Sequence, residues 1–352
     1  MARIKISTWN IKWMEKLFEK KTAAYSSDDK TDQTLQRIAN LIIDLDADII
    51  GIQEGPRLKA QMKLFVSDYL GNDYKVFTAP CLSPNSGRFQ QINHFLVRKG
   101  LDDLEIKQFG PSHKIFDYLS RDVAFYRWSD VSSETSKKIS RLPVVLSLAP
   151  KSSPNETIEL MTFHTKSKFV FGFNKRTWIE REKPENKKLI VDALQARQRL
   201  SGELNAIRRY LSHAVLSQRT NGCILMGDLN DGPSRDVFEK KFLITNIVDE
   251  LRGGFHREEA VMHHALSREW IDEDYAKAYT AKFKDPTQND KIVKVLLDHI
   301  LMSTNIKYGD SAIKLVKNSG KIEHEVFEAN TDGKARHLVP SDHRPVSAKL
   351  TY

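Results

Sequence analysis

The 352-residue sequence has few cysteines, no long apolar run and no low-complexity tract. Its two cysteines, Cys81 and Cys223, are far apart and lack metal-ligand spacing, so neither a disulfide framework nor structural zinc is expected. No segment approaches the ~18 consecutive apolar residues of a membrane span. The first residues also lack the apolar stretch and cleavage site of a signal peptide. These absences predict a reduced, cytoplasmic protein without a membrane span.

The composition is that of a globular protein with a sizeable core, with 40% hydrophobic and 29% charged residues. The formal charge is +9, which favours a polyanionic partner such as nucleic acid or an anionic membrane surface. Residues 166–209 hold 12 Lys and Arg against 5 Asp and Glu, so most of this charge lies in one segment. Aromatic residues alternate with the first of these cations, as in a nucleic-acid groove. The alternative is a solvated basic helix preceded by aromatics that pack inward.

Short apolar runs, rich in β-branched residues, predict strands. The predicted strands are Ile4–Trp9, Asp48–Ile52, Phe95–Val97, Val144–Leu148, Ile158–Phe163, Cys223–Met226, Val293–Met302 and Val346–Leu350. Helical periodicity covers Thr31–Leu45 and Glu185–Gln218. Turn-forming residues predict loops at Leu82–Phe89, Ser129–Ser140, Lys151–Glu156 and Thr280–Asp290. Several strands follow each other directly, which favours two packed sheets with outer helices over a parallel βαβ array.

Polar side chains that can carry chemistry end several of these apolar runs. They are Asn10, Glu54, the pair Asp228 and Asn230, and the pair Asp342 and His343, while Asp298 lies inside a further run. A carboxylate at the end of a buried strand is costly unless it is paired, hydrogen-bonded or metal-bound. Any single one is explained as a turn residue. Their joint occurrence favours a functional site.

The motifs W-N, Q-E, G-D-L-N and S-D-H, in this order, resemble those of the endonuclease/exonuclease/phosphatase superfamily, which includes deoxyribonuclease I and the neutral sphingomyelinases. They extend from Asn10 to His343, so the resemblance implies a single domain over residues 1–352, with the basic, aromatic-rich loop and helix at 166–218 as part of it. It implies an α/β fold, a four-layer α/β/β/α sandwich with two facing mixed β-sheets. It also implies phosphoester hydrolysis with Mg²⁺ or Mn²⁺.

The resemblance implies a metal site and a water-activating group. Glu54 is the expected main metal ligand, with Asp342 and Asn10 beside the metal, and such oxygen donors suit Mg²⁺. Asp228 is expected to orient and deprotonate the attacking water, with Asn230 and Asn10 holding the phosphate and Asp228 in line.

The resemblance also implies two catalytic histidines. His343 is expected to contact the phosphate, and Asp298 to orient His343 by a hydrogen bond. The segment S-R-L-P-V-V followed by M-T-F-H-T-K-S-K is similar to deoxyribonuclease I-like and sphingomyelinase-like members, and it implies His164 as the second histidine. The carboxylate partner of His164 stays open. His299, next to Asp298 along the chain, is expected to face the other way and to be structural.

Cationic residues are expected to contact the substrate phosphate. Arg141 belongs to the S-R-L-P motif, Lys12 follows Asn10 in N-I-K, and Lys166 follows His164. The leading interpretation is therefore a metal-dependent phosphodiesterase acting on nucleic acid, specifically a sequence-nonspecific DNA endonuclease. The alternative is a phosphatase or phospholipid phosphodiesterase of the same superfamily. A non-catalytic protein on the same fold is disfavoured because the motif residues are intact.

Overall fold

The computed structural model describes residues 2–80, 91–119, 123–127, 130–137, 139, 141–216, 220–233, 236–242, 248, 251, 262–267, 277–331, 333 and 339–352. The predicted loop Leu82–Phe89 lies outside these residues. In chain order the strands are β1 (Arg3–Asn10), β2 (Ile49–Gly55), β3 (Tyr74–Thr78), β4 (Ile92–Arg98), β5 (Leu104–Gln108), β6 (Val123–Arg127), β7 (Asp130–Lys137), β8 (Val144–Pro150), β9 (Ile158–His164), β10 (Cys223–Asp228), β11 (Met262–His264), β12 (Ala281–Asp285), β13 (Lys291–Val295), β14 (Asp298–Ser303), β15 (Lys314–Leu315), β16 (Lys321–Ile322) and β17 (Val346–Thr351). The helices are α1 (Thr31–Leu45), α2 (Lys59–Tyr69), α3 (Lys114–Leu119), α4 (Lys175–Ile179), α5 (Pro184–Leu216), α6 (Val237–Phe242), α7 (Thr304–Lys307) and α8 (His324–Thr331), with short 3-10 helices at Met14–Leu17 and Pro286–Gln288.

Two mixed sheets form the centre of the fold. The first has the order β15-β17-β1-β2-β4-β3, with β16 also paired to β17. The second has the order β11-β14-β10-β9-β8-β5. In each sheet one central pair is parallel, β1 with β2 and β9 with β10, and the other described pairs are antiparallel. Strand β17, near the end of the chain, pairs with β1 at its beginning.

The two sheets pack face to face, with helices on both outer sides. Strands β1 and β2 lie against β9, β10 and β14. Helices α1, α2 and α8 cover the outer face of the first sheet, where Leu35, Phe65 and Phe327 pack with Trp9. Helices α3 and α5 join the core of the second sheet. This arrangement confirms the predicted four-layer α/β/β/α sandwich.

Alternation along β1 brings its last polar side chain into the space between the sheets. Successive residues of a strand point to opposite faces, and Ile4 and Ile6 belong to the core between the sheets. Trp9 packs on the outer side, under the helices. Asn10 is therefore on the same face as Ile4 and Ile6, at the end of the strand.

The most regular predicted elements are confirmed. The helix predicted at Thr31–Leu45 has those bounds, because Leu35, Ile38 and Leu45 lie on one buried face. The helix predicted at Glu185–Gln218 is observed as Pro184–Leu216, and residues 217–218 lie outside the described chain.

Three predictions about the segments around the site are wrong. The strand predicted at Val293–Met302 is two strands, β13 and β14, because Thr280 Oγ1 accepts the backbone N–H groups of Leu297 (2.9 Å) and Asp298 (3.1 Å) at the break. The loop predicted at Thr280–Asp290 contains β12, which forms a hairpin with β13. The loop predicted at Ser129–Ser140 contains β7, which pairs with β6. Local turn propensity was overridden in both hairpins by cross-strand pairing.

No helix in the described part of the chain is both long enough and apolar enough to cross a membrane.

Candidate active site

The polar residues that end the predicted strands meet at one edge of the sandwich. Strands β1, β2, β9 and β10 reach this edge with their carboxyl ends, and the antiparallel β14 begins there. In the second sheet, Asp228 lies opposite His164 on one side and opposite Asp298 on the other. The residues brought together are Asn10, Glu54, His164, Asp228, Asn230, Asp298, Asp342 and His343.

Asn10 and Asp228 connect the two sheets at this edge. Asn10 Nδ2 donates to Asp228 Oδ2 at 2.8 Å, and it lies 3.4 Å from Glu54 Oε1. The other oxygen of Asp228 accepts the backbone N–H of Asn230 at 2.8 Å. Asn230 has a left-handed backbone (φ 52°) and donates from Nδ2 to Thr165 O at 3.0 Å. Asp228 is thereby fixed in position from both sides.

A glycine is required just before Asp228. Gly227 has φ 143°, and a Cβ there would lie 1.9 Å from the carbonyl oxygen of Phe163 on the neighbouring strand. A side chain at this position would separate β9 from β10 and displace both His164 and Asp228. The glycine of the G-D-L-N motif therefore has a steric explanation in this fold.

Glu54 reaches the site by breaking the alternation of β2. Regular alternation would place it with Ile50 and Ile52, which pack under the helices of the first sheet. The ladder between β2 and β4 has a register irregularity between Ile52 and Gly55, and Glu54 has a left-handed backbone (φ 56°). Its Oε2 accepts from the Trp13 backbone N–H (2.9 Å) and from Gln91 Nε2 (2.6 Å). The bulge and these two donors orient the carboxylate toward Asn10.

His343 is paired with Asp298 and is held as a cation. Its Nδ1 lies 2.7 Å from Asp298 Oδ2, and both side chains are largely buried. Burial alone would lower the pKa of His343, but the carboxylates of Asp298 and Asp228 outweigh burial and raise it to about 10. At neutral pH the imidazole is therefore protonated and available to an anion.

The pKa of Asp228 is raised as well, but for a carboxyl this shift disfavours the charged form. Burial raises the pKa of the Asp228 carboxyl to about 7, although the His343 charge and the hydrogen bonds from Asn230 and Asn10 oppose this. A carboxylate with a pKa near neutrality is matched to proton transfer from water. Burial would likewise raise the pKa of Asp342, but His343 and Lys12 outweigh burial and hold it below its ordinary value.

His164 lies between the two acidic groups and is neutral. Its Nε2 is 3.6 Å from Asp228 Oδ2 and 3.8 Å from Glu54 Oε1. Burial, with the positive charges of Arg141 and His343, holds the pKa of His164 well below its ordinary value. Its Nδ1 is buried and has no hydrogen-bond partner among the described residues. The carboxylates that lie near His164 in that part of the chain are therefore those of Asp228 and Glu54, both at Nε2, and none contacts Nδ1.

A chain of hydrogen bonds supports the loop after Asp228 from behind. The Leu266 N–H donates to His264 Nδ1 (3.1 Å), His264 Nε2 lies 3.0 Å from His299 Nδ1, and His299 Nε2 lies 2.8 Å from Asp231 O. A backbone N–H can only donate and a carbonyl can only accept, so both tautomers are determined and both rings are neutral. His299, opposite in direction to Asp298 along β14, thus has the structural role expected for it.

The oxygen atoms at the site are suitable ligands for a hard divalent cation bound by Glu54. Asn10 Oδ1 is buried without a hydrogen-bond partner among the described residues, and Glu54 Oε1 is within 3.4 Å of the Asn10 amide. Asp342 Oδ2 is engaged by Lys12 Nζ at 2.7 Å. A second group, Asp228, Asp298 and His343, has ligand atoms within 4.8 Å of one another. The atoms of that group are engaged within the protein, His343 Nδ1 with Asp298 and the two Asp228 oxygens with Asn10 and Asn230, so it is less suited to a cation.

The expected phosphate-binding cations lie at different depths. Arg141 is partly buried and donates from Nη1 to Thr165 O at 2.8 Å. Lys166 is half-buried, and burial together with Arg141 lowers its pKa to about 8. Lys12 lies at the surface in its ion pair with Asp342.

The basic segment after His164 is partly neutralised inside the protein. Lys168 forms ion pairs with Asp231 and Glu239, and Arg197 pairs with Asp236 at 2.5 Å. Phe173 and Trp178 pack on Phe238, as the inward-packing alternative predicted. Phe169 and Phe171 are 72% and 91% exposed, as the groove alternative requires. Both descriptions of this segment therefore apply, each to different residues.

The sequence reasoning missed two residues in contact with Glu54. Gln91 gave no motif signal, because a lone glutamine is uninformative before the fold brings β4 beside β2. Trp13 could have been noted as an aromatic residue three positions after Asn10. His263 and His264 end strand β11.

Comparison with known proteins supports the fold. No protein-family model and no curated protein matches this chain. Among solved structures, an endonuclease/exonuclease/phosphatase from Bacteroides vulgatus is 14% identical with a TM-score of 0.51, and the match covers 99% of both chains. D. rerio TDP2 complexed with single strand DNA product is 12% identical with a TM-score of 0.51, and the match covers 100% of both chains. These likenesses show the fold and confirm the resemblance in that respect: the chain has the fold of the endonuclease/exonuclease/phosphatase superfamily.

Proposed function

We propose that the protein is a divalent-metal-dependent phosphodiesterase that hydrolyses the nucleic-acid backbone, specifically a sequence-nonspecific DNA endonuclease. The observation that carries the proposal is the convergence of Asp228, held by Asn10, with the His343–Asp298 pair and Glu54 at one edge of the sandwich. Phosphodiester hydrolysis requires an oriented water, positive charge on the phosphoryl oxygens and a metal site. Separate residues are available here for each requirement. One domain over residues 1–352 is part of the proposal, supported by the pairing of β1 with β17.

Asp228 is the proposed general base. Its two oxygens are fixed by Asn10 and Asn230, so a water beside the carboxylate would be held in one orientation. The raised pKa of Asp228 makes its ionised form a stronger proton acceptor than an exposed carboxylate. Asn230 and Asn10 thus act as positioning residues for the base.

His343 and His164 are the proposed phosphate-binding histidines. The His343 cation, oriented by Asp298, would bind a phosphoryl oxygen and stabilise the charge that grows on it. Neutral His164 would donate one hydrogen bond from Nε2, beside Asp228 and Glu54. Arg141, Lys166 and Lys12 would supply further positive charge around the same anion.

Glu54 and Asn10 are the proposed holders of the metal ion, with Asp342 beside it. Mg²⁺ or Mn²⁺ suits this set because all three residues offer oxygen ligands. When bound, such an ion would supply a Lewis acid for a phosphoryl oxygen. Glu54 Oε2 is already fixed by Trp13 and Gln91, whereas Oε1 has only the longer 3.4 Å contact with Asn10 Nδ2 and is the proposed metal ligand.

A nucleic-acid substrate is supported by the surface next to His164. The exposed Phe169 and Phe171 are followed by the basic residues of α4 and the first turns of α5, a combination that binds backbone phosphates and stacked bases. D. rerio TDP2, similar in fold, is solved with a single strand DNA product. A phosphatase or phospholipid phosphodiesterase is the alternative, and the experiment below includes its substrates.

The test is cleavage of supercoiled plasmid, labelled DNA, labelled RNA, a phosphoinositide and sphingomyelin, each with Mg²⁺, with Mn²⁺ and with EDTA. We expect plasmid nicking with metal and none with EDTA. Asp228→Asn and His164→Ala should abolish nicking, whereas Asp310→Asn, a change at a fully exposed aspartate, should not. Turnover of a lipid with none of DNA or RNA would replace this proposal by the alternative.

A further inference from the structure

Trp13 is an exposed aromatic residue whose backbone is hydrogen-bonded to Glu54, the candidate metal ligand. Its backbone N–H donates to Glu54 Oε2 at 2.9 Å, yet 48% of the residue remains exposed. Its backbone is left-handed, with φ 55° and ψ 35°. This conformation is uncommon for a residue with a large side chain and is found mostly where a site requires it.

The contact with Glu54 explains the backbone of Trp13 and leaves its indole ring unexplained. Any residue except proline could supply the N–H, and asparagine or glycine would adopt the left-handed conformation at lower cost. A large aromatic ring that is half exposed gains little stability from packing. Burial therefore does not account for the indole ring at this position.

The ring lies at the rim of the site among positive charges. Lys16 Nζ is 3.5 Å from the ring centroid, and Lys12 Nζ is 5.1 Å from it. Lys12 also contacts Asp342 at 2.7 Å, so one side chain connects the ring to the residue beside His343. Stacked cations orient a tryptophan ring, and these two lysines place positive charge beside the site.

We propose that the Trp13 ring is a stacking platform for the base of a nucleotide adjacent to the phosphate that is cleaved. The inference rests on the proposed function and specifies how that site holds its substrate. A π-face stacks on any base, so this subsite would add affinity without reading sequence. Lys12 and Lys16 would bind the phosphate next to that base. The ligand chemistry is a planar base attached to a phosphodiester backbone that is single-stranded or locally unpaired at this point.

The experiment compares the protein with Trp13→Ala and Trp13→Phe on a set of single-stranded oligonucleotides. Each oligonucleotide carries one cleavable phosphodiester, with the others made resistant, and one tetrahydrofuran abasic residue at successive positions on either side of it. For the intact oligonucleotide, Trp13→Ala should lower kcat/KM by about 5-fold to 150-fold, mostly through KM. Trp13→Phe should recover most of the loss, because phenylalanine retains a stacking face. Tyr308→Ala, at a tyrosine that is 70% exposed on α7's C-terminal side, serves as the control and should have no effect.

The abasic series separates stacking from a structural role. If Trp13 stacks on a base, removing that one base should lower cleavage by the unmodified protein and should have no further effect in Trp13→Ala. An equal loss in Trp13→Ala on every oligonucleotide, abasic or not, would overturn the inference and assign Trp13 only to support of Glu54. Mn²⁺ affinity, measured in parallel by titration, should be unchanged in Trp13→Ala. If the unmodified protein cleaves none of the oligonucleotides, the proposed function itself fails, and this inference fails with it.

Discussion

Asn10 on the first sheet and Asp228 on the second are joined by a hydrogen bond of 2.8 Å, from Asn10 Nδ2 to Asp228 Oδ2. They are separated by 218 positions in sequence. The bond exists because both strands end at the same edge of the sandwich and because alternation along β1 faces Asn10 inward. It connects the candidate metal ligand Glu54, 3.4 Å from the same amide, to the proposed base. The site therefore depends on the relative position of the two sheets.

Stability in the absence of metal should depend on pH through His343. Its pKa is raised to about 10 in the folded protein, above its ordinary value of 6.5. The ion pair with Asp298 therefore contributes fully below about pH 6.5 and is lost as the pH rises toward 10. In EDTA, we expect the difference in Tm between the unmodified protein and Asp298→Asn to be several degrees at pH 6 and to shrink by pH 10. A difference in Tm that stays constant over this range would contradict the assigned protonation state.

Metal affinity should depend on Glu54 and not on Asp298. Glu54→Gln removes a charged oxygen ligand and should weaken Mn²⁺ binding by at least 10-fold, as followed by calorimetric titration. Asp298→Asn should leave the affinity within about 2-fold, because Asp298 is hydrogen-bonded to His343 and Asp228 to Asn10. Glu182→Gln, at a glutamate whose side chain is 92% exposed, is the matched control. The reverse order of effects would place the cation in the Asp228, Asp298 and His343 group.

The hydrogen-bond chain behind the Asp228 loop should affect turnover without contacting the substrate. His299→Phe removes the donor to Asp231 O and leaves that buried carbonyl unsatisfied, so we expect kcat to fall by about 10-fold to 100-fold with KM nearly unchanged. His299→Gln retains an N–H donor on a more flexible side chain and should recover part of kcat. Equal losses in both variants, together with equal losses in Tm, would indicate a packing role alone.

Lys168 should matter for stability and not for the salt dependence of binding. It is largely buried between Asp231 and Glu239, so Lys168→Met leaves two carboxylates without their cation. Breaking a buried ion pair in this way costs about 3–5 kcal/mol in the free energy of unfolding, measurable by urea denaturation. The slope of log Kd against log salt concentration for DNA binding should stay the same. Lys168 neutralises carboxylates and no DNA phosphate, so it does not contribute to the release of counterions from DNA. A smaller slope would mean that Lys168 contacts phosphate.

The sequence predicted the periodic elements well because local pattern determines them. Leu35, Ile38 and Leu45 recur with the helical period, and the helix bounds followed. The division of Val293–Met302 was not predictable, because it depends on Thr280 accepting two backbone N–H groups from another segment. Strand β12 was missed because its charged, mostly exposed residues resemble a loop locally.

The candidate site was predicted as a set of residues, and its geometry depends on backbone features that the sequence hides. Glu54 was selected by its motif, yet alternation along β2 would have placed it under the helices. Only the bulge and the left-handed φ of 56° orient it toward Asn10. The neutral state of His164 likewise follows from burial beside Arg141, which no local pattern encodes.

The most direct test of the central claim is the single-turnover rate of DNA cleavage by Asp228→Asn in saturating Mg²⁺, measured beside its DNA affinity in EDTA. The proposed general base predicts a rate lower by about 10²-fold to 10⁴-fold. DNA affinity should be equal or higher, because one negative charge is removed near the bound phosphate. A rate within a few fold of the unmodified protein would contradict the account, since another group would then have to activate the water.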